Sequence, residues 1–183
     1  MNRSSFFVIA TLAVFTFVPQ PVGAQVAFGA RFGGGSGSAK YNVGEINARL
    51  RAAGAFYVTG SYQIIGGYWA CTGGDVAELR CSYDGNSISV GGVYAAVDAS
   101  NVYFAVGGSI GSFLRTGGQT YSGKRHLTGN VTADTEVRVW GPFRIQFGVA
   151  HRRIFDETYS AAFDTSPHFT SMTGGVSFVF GAN

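Results

Sequence analysis

Histidines and clustered carboxylates are the side chains in this chain of 183 residues that could perform acid-base or metal chemistry. His126, His151 and His168 are its three histidines, and none has a second ligand at a metal-binding spacing such as HExxH. We therefore expect all three to be rim residues near strand ends or loops. The sequence predicts neither a metal nor a cofactor.

The charged residues alternate with bulky apolar ones in the stretch from Glu136 to Val149, which reads EVRVWGPFRIQFGV. Val137 and Val139 alternate with Glu136 and Arg138, and the same pattern follows Pro142. A period of two is typical of β-strands, and it places one residue set on each face of a sheet. The stretch therefore predicts a hairpin with one apolar face and one charged face.

The N-terminus predicts export. Arg3 precedes an apolar run from Phe6 to Val18, and Ala24 ends a small-residue cleavage site, the pattern of a secretory signal peptide. The run would span roughly 20 Å as a helix, against about 30 Å for a bilayer core. We expect residues 1–24 to be removed and residues 25–183 to form one domain. The net charge is +3 and no lysine or arginine run occurs, which argues against nucleic-acid binding.

The alternation recurs along the mature chain and predicts eight strands. Short turns are expected near Gly54, Ser100 and Gly141, and four longer loops on the other side, the first of them GGGSGSAK. For residues 42–54 a short helix is an alternative, because Asn42 to Glu45 resembles a capping box. In the strand after Ser87, the residues Ile88, Val90 and Tyr94 compete with Val93, Ala95 and Val97 for the apolar face.

Aromatic residues gather at both strand ends. Beside the short turns these are Phe56, Tyr57, Tyr103, Phe104, Trp140 and Phe143, and beside the loops Tyr68, Trp69, Phe113, Phe155 and Phe169. Two such groups predict the interfacial girdles of a membrane barrel.

The mature chain resembles the small bacterial outer-membrane barrels of the OmpA and OmpX type. Those proteins end in a strand with glycine followed by alternating aromatics, and Gly175, Phe178 and Phe180 match that ending, although Gly181-Ala182-Asn183 follow it. The resemblance implies an all-β, eight-stranded, antiparallel up-and-down transmembrane barrel in the bacterial outer membrane. It also implies recognition of the last strand by the barrel-assembly machinery.

In such a barrel the two faces meet different surroundings, since side chains fill the narrow lumen and lipid covers the outside. The lumen is predicted to hold Arg31, Glu45, Arg49, Arg51, Asp134, Glu136, Arg138, Arg144, Gln146 and Arg152. Buried charges must be paired, so we expect a network of Arg49, Arg51, Asp134, Glu136, Arg138 and Arg144. Lipid is predicted to meet Phe28, Leu50, Ile64, Phe104, Val137, Ile145, Phe147 and Phe178.

Cys71 and Cys81 are the two cysteines of a chain expected to leave the cytoplasm. Their short separation predicts a disulfide within one loop.

We expect this barrel to have a structural or surface-interaction role without catalysis, and to be a monomer. One alternative is a soluble carrier of an apolar ligand, similar to lipocalins, in which the two faces exchange roles. Others are a narrow pore and a lipid-modifying barrel enzyme; for the enzyme, His151 lacks the serine two positions later that the lipid A deacylase family suggests.

Overall fold

The computed structural model describes residues 25–37, 40–71, 79–82, 84–116, 125–155 and 168–181. They form nine strands: β1 (Val26–Gly37), β2 (Lys40–Ala53), β3 (Phe56–Cys71), β4 (Leu79–Ser82), β5 (Gly85–Asp98), β6 (Val102–Arg115), β7 (Arg125–Trp140), β8 (Phe143–Phe155) and β9 (His168–Phe180). The described part of the chain contains no helix long and apolar enough to cross a membrane.

The strands close into an antiparallel barrel. The sheet order is β2-β1-β9-β8-β7-β6-β5-β3-β4, and pairing of β2 with β3 completes the ring. Strand β4 pairs with the end of β3, beyond the part of β3 that pairs with β5. The short strand β4 and β5 therefore occupy one strand position of the barrel together. The barrel therefore has eight strand positions, as the sequence predicts.

Burial alternates along the strands and defines the two faces. On β8, Arg144 and Gln146 are buried, whereas Ile145 and Phe147 between them are exposed. Large apolar side chains of the other strands are likewise exposed, for example Val131 at 67% and Met172 at 69%. A closed barrel with a charged interior and an apolar exterior suits a bilayer. The soluble-carrier alternative, which needs an apolar cavity and a polar exterior, is wrong.

The predicted first loop is in fact strand. β1 continues to Gly37 and β2 begins at Lys40, so only residues 38–39 separate them. The glycines serve close strand approach: a Cβ on Gly33 would lie 1.9 Å from the carbonyl oxygen of Met172, and one on Gly35 would lie 2.2 Å from that of Thr170. The expectation of four long loops opposite the short turns is therefore wrong for the first connection.

Two open points of the sequence are resolved by strand pairing. Residues 42–53 belong to β2, so the strand prediction is confirmed and the helix alternative is wrong. On β5, Val90 and Tyr94 face outward while Val93 and Ala95 face inward, and a bulge after Ala95 returns Val97 to the outside. The competing patterns arose because the bulge reverses the alternation within one strand.

The predicted aromatic girdles are only partly right. Phe56, Phe104 and Trp140 are exposed, but Tyr57 and Tyr103 are 1% exposed and face the lumen. At the other end Phe155 is exposed, whereas the inward-facing Phe113 and Phe169 are buried. Adjacent aromatic residues such as Phe56 and Tyr57 cannot share a face, because neighbouring side chains of a strand point oppositely.

Candidate functional site: the lumen

A charged cluster crosses the middle of the lumen and is centred on Arg31. Its Nε atom donates a hydrogen bond to Glu45 Oε1 at 2.8 Å, and its Nη1 atom donates one to Asp134 on the far side of the barrel. Asn47 and Gln63 also donate hydrogen bonds to the Glu45 carboxylate. Arg31 lies on β1 and Asp134 on β7, which are not neighbours in the sheet, so this ion pair spans the barrel.

A second cluster lies nearer the short turns. Arg49 forms a two-pronged ion pair with Glu136, in which Nη2 and Oε2 are 2.7 Å apart, and Arg144 Nη1 lies 3.9 Å from the same carboxylate. The Arg49 guanidinium also lies 3.8 Å from the ring centroid of Tyr103. Planar bidentate geometry and ring contact are the interactions that arginine makes best in a dry environment.

A third group closes the mouth at the short turns. Arg51 Nη2 and the Tyr57 hydroxyl both donate hydrogen bonds to Asp98 Oδ2, at 2.5 and 2.7 Å. Tyr57 packs edge-to-face on Tyr103 with ring centroids 5.6 Å apart. The Tyr57 hydroxyl also lies 2.6 Å from Gln25 Oε1, so four strands (β2, β3, β5 and β6) and the residue before β1 meet at this mouth.

The opposite end of the lumen is closed by an apolar plug. It consists of Tyr41, Val43, Ile65, Phe113, Ile154 and Phe169, all of them buried. Tyr41 and Phe169 make edge-to-face contact at 5.5 Å. A lumen cavity of about 60 Å³ lies among the charged clusters, and Arg31, Glu45, Arg49 and Glu136 line it. That volume suits a few water molecules rather than a continuous channel.

The structure distributes the predicted network over these groups. Arg49, Glu136 and Arg144 come together, whereas Asp134 pairs with Arg31 instead. Arg51 lies at the mouth with Asp98. The remaining predicted member, Arg138, is exposed and donates a hydrogen bond to the Gly141 carbonyl.

Arg138 belongs to a repeated turn motif that the sequence analysis missed. Arg51 Nε donates to the Gly54 carbonyl at 2.8 Å, as Arg138 Nε does to Gly141 at 2.7 Å. Both glycines have φ of +53°, a region that favours glycine. The repeated spacing Arg-x-x-Gly-x-Phe was the available signal. Asp98 was missed as well, because the bulge of β5 hides its inward direction from simple alternation.

The histidines occupy two different environments. His126 is the second residue of β7 and so lies near a strand end, as predicted, but its side chain is buried and faces the lumen. His151 and His168 face outward with ring centroids 6.0 Å apart, and His151 Nδ1 lies 2.9 Å from Thr170 Oγ1. Among the described residues, no group of three or more metal-binding side chains occurs.

Three predictions fall partly or wholly outside the described residues. Residues 1–24 are outside them, so the signal peptide stays a prediction. The backbones of Cys71 and Cys81 lie on the paired strands β3 and β4, but their side chains are not described, so the disulfide stays a prediction too. Of the C-terminal ending, Gly175, Phe178 and Phe180 lie on β9 with both aromatics exposed, and the last two residues are not described.

Comparison with solved structures shows the same fold in two bacterial proteins. The chain is similar to Neisserial surface protein A (NspA), with 16% identity, a TM-score of 0.62, and coverage of 86% of this chain and 97% of that one. It is also similar to the N-terminal β-barrel domain of OprF from Pseudomonas aeruginosa, with 14% identity, a TM-score of 0.54, and coverage of 88% and 100%. No family profile and no curated protein matches the sequence. The chain therefore has the fold of the small outer-membrane β-barrels.

Proposed function

We propose that this outer-membrane barrel is a non-conducting structural protein that displays its external segments at the cell surface. The observation that supports this proposal is the filled lumen. Ion pairs bridge opposite walls at Arg31 and Arg49, and an apolar plug closes the external end. Breaking a buried ion pair leaves an uncompensated charge, so opening a water path would be costly.

The arrangement argues against the pore and enzyme alternatives. Ions would have to pass the buried plug and also the charged clusters, among which the cavity measures about 60 Å³. For the enzyme alternative, His151 has Thr170 and His168 as neighbours on the outer face. The described strand carboxylates, which are Glu45, Asp98, Asp134 and Glu136, all face the lumen and are out of reach of that histidine.

Planar-bilayer recording tests the sealed lumen. We expect the purified chain to insert without a steady current. Heat-modifiable gel migration of the protein recovered from vesicles of the same lipids establishes that the barrel is folded there. The matched variant is Phe113→Ala combined with Phe169→Ala, which removes two rings of the plug and should not raise the current, because the charged clusters still obstruct the lumen. A steady current through the unaltered chain would overturn the proposal in favour of a pore.

Surface labelling tests display at the cell surface. NspA, whose fold this chain shares, is described as a surface protein. In intact cells, a membrane-impermeant maleimide should label Thr116→Cys, at the end of β6, and spare Ser100→Cys, in the short turn at the other end. The parent chain controls for Cys71 and Cys81. Labelling of Ser100→Cys alone would invert the proposed orientation.

The C-terminal strand supports a further part of the proposal. Phe178 and Phe180 stand exposed on the outer face of β9, next to β1 where the barrel closes. We propose that the barrel-assembly machinery recognises this ending together with Gly175. Replacing Phe180 by serine should slow assembly in cells and leave refolding in detergent unchanged.

A further inference from the structure

The cluster in the middle of the lumen contains more carboxylates than cations. Arg31 forms ion pairs with both Glu45 and Asp134, and its Nη2 atom lies 2.7 Å from Glu45 Oε1. One guanidinium therefore faces two carboxylates, which leaves one negative charge in excess. The side chains of Arg31 and Glu45 are only 9% and 3% exposed, so bulk water does little to compensate this charge.

The arginines on the turn side of this cluster compensate other groups. Arg49 forms its two-pronged ion pair with Glu136. Arg144 lies beside the same carboxylate, and on β8 it is four residues away from Gly148, the strand partner of Asp134. Four residues of strand extend about 13 Å. Charges at such a separation attract each other far less than charges in direct contact do.

Arg152 lies on the other side of the cluster, toward the plug. Its Nε atom donates a hydrogen bond to Asn130 Oδ1 at 2.8 Å, and Asn130 is four residues away from Asp134 on β7. The backbone of Arg152 is therefore about as far from Asp134 as that of Arg144. The pair of Glu45 and Asp134 needs a nearer cation than either of these arginines.

The lumen cavity of about 60 Å³ borders the cluster at Asp134. The Asp134 side chain is 21% exposed although it points into the lumen, so part of its carboxylate faces this space. Hydroxyl-bearing residues of four neighbouring strands also line the cavity, namely Ser61, Ser89, Ser109 and Thr132. Oxygen atoms are the ligands that hard cations prefer. The volume admits about two water-sized particles, such as one small ion and one water molecule.

Gln63 provides an independent indication of a cation. It lines the cavity, and its Nε2 atom donates a hydrogen bond to Glu45, whereas its Oε1 atom has no hydrogen-bond partner among the described residues. Gln63 is only 8% exposed, so bulk water does not reach this oxygen. A buried carbonyl oxygen without a partner is costly, and a cation can satisfy it as a ligand.

We propose that the cavity binds one alkali cation, with Asp134 as its charged ligand and Thr132 and Gln63 among its neutral oxygen ligands. A monovalent ion fits the charge of the cluster, because one added positive charge neutralises it and two would leave an excess of the opposite sign. Since the plug and the turn-side mouth close the lumen, the ion is bound when the barrel forms and is not conducted.

Unfolding in different salts tests this site. The protein is refolded in detergent and titrated with urea in sodium chloride or in N-methyl-D-glucamine chloride, whose organic cation is too large for the cavity, at equal ionic strength. The unfolded chain releases the ion, so binding is measured as stability. With about 100 mM sodium and a dissociation constant of about 10 mM, the equilibrium constant of unfolding should be about tenfold lower in sodium.

Asp134→Asn removes the charged ligand at constant size and should unfold equally in the two salts. Thr132→Val removes one neutral oxygen and should reduce the sodium effect. Asp98→Asn is the matched control, because Asp98 also pairs with an arginine but does not line the cavity. It should keep the full sodium effect, and heat-modifiable gel migration establishes that each variant is folded.

Two results would overturn the proposal of a cation site. The first is equal stability of the unaltered chain in the two salts, which would leave the cavity to water or to a proton on one carboxylate. The second is the same sodium effect in Asp134→Asn, Thr132→Val and Asp98→Asn, which would place any bound cation outside the cavity.

Discussion

At the scale of single residues, Glu136 is the anion on which the turn-side cluster depends. Its carboxylate accepts hydrogen bonds from both Nη atoms of Arg49 and lies 3.9 Å from Arg144 Nη1. All three side chains are nearly inaccessible to water. Each guanidinium has lost its hydration and depends on the carboxylate for compensation.

Replacing Glu136 by alanine should therefore lower the free energy of unfolding by about 3 to 5 kcal/mol, because two buried cations remain without an anion. The measurement is urea unfolding in detergent micelles, followed by the gel mobility of folded and unfolded barrel.

Arg153→Ala is the control for this prediction, since it removes an exposed charge and should change the free energy of unfolding by no more than about 0.5 kcal/mol. If Glu136→Ala were as stable as Arg153→Ala, the cluster would contribute nothing to stability.

Alternation identifies which of these residues share a face, but it does not identify partners. The pairing of Arg49 with Glu136 joins residues 87 positions apart on strands that are not neighbours in the sheet. Such a contact depends on the closure and stagger of the whole barrel, which no local pattern contains. Arg51 and Arg138 look equivalent to Arg49 in the sequence, yet both donate to turn carbonyls, and Arg51 pairs with Asp98 rather than with Glu136.

At the scale of strands, glycines without side chains allow β1 and β9 to approach each other closely. A Cβ on Gly175, which faces the lumen, would lie 2.0 Å from the Ala30 carbonyl oxygen. Its neighbour Gly174 faces outward, where a Cβ would meet Phe147 at an ordinary 3.6 Å. Two adjacent glycines of one strand therefore have opposite tolerance for a methyl group.

We expect Gly175→Ala to destabilise the barrel by about 1 to 3 kcal/mol, because backbone must move to admit the methyl group. Gly174→Ala should be neutral or stabilising by less than about 1 kcal/mol. Unfolding of the two variants in the same detergent compares them directly, and equal stability would contradict the close approach of the two strands.

The predicted disulfide between Cys71 and Cys81 would join two neighbouring strands. Strands β3 and β4 pair over four residues from Tyr68 to Cys71, which keeps the backbones of Cys71 and Cys81 on adjacent strands. Closing a loop of about ten residues would stabilise the fold by about 2 to 3 kcal/mol. Thiol counting on denatured, unreduced protein should find no reactive thiol, and two reactive thiols would disprove the bond.

The sequence predicts where strands occur better than it predicts where they end. Residues 42–53 alternate clearly and are a strand, but the glycine stretch after Phe32 carries the composition of a loop and is strand as well. Composition misleads there because the glycines are required by backbone contact between strands. The bulge after Ala95 had the same effect on β5, where one extra residue exchanges the faces.

At the scale of the whole molecule, two environments account for the sequence pattern. Polar and charged side chains point into the lumen, where their opposite charges pair. Apolar side chains cover the outside in a band that is bounded by Trp140 at one end and by His151, Arg153 and His168 at the other. A bilayer explains this band, and water does not. The central claim is therefore that the outward side chains touch lipid.

Fluorescence quenching by lipids brominated on their acyl chains tests this claim most directly. In a chain in which Trp69 and Trp140 are replaced by phenylalanine, a single tryptophan is introduced as Phe147→Trp on the outer face or as Tyr103→Trp in the lumen. Phe147 is 57% exposed near the middle of the apolar band, and Tyr103 is 1% exposed. We predict strong quenching of Phe147→Trp and little quenching of Tyr103→Trp. An unquenched Phe147→Trp, in protein that folds and stays dispersed without detergent, would contradict the membrane assignment.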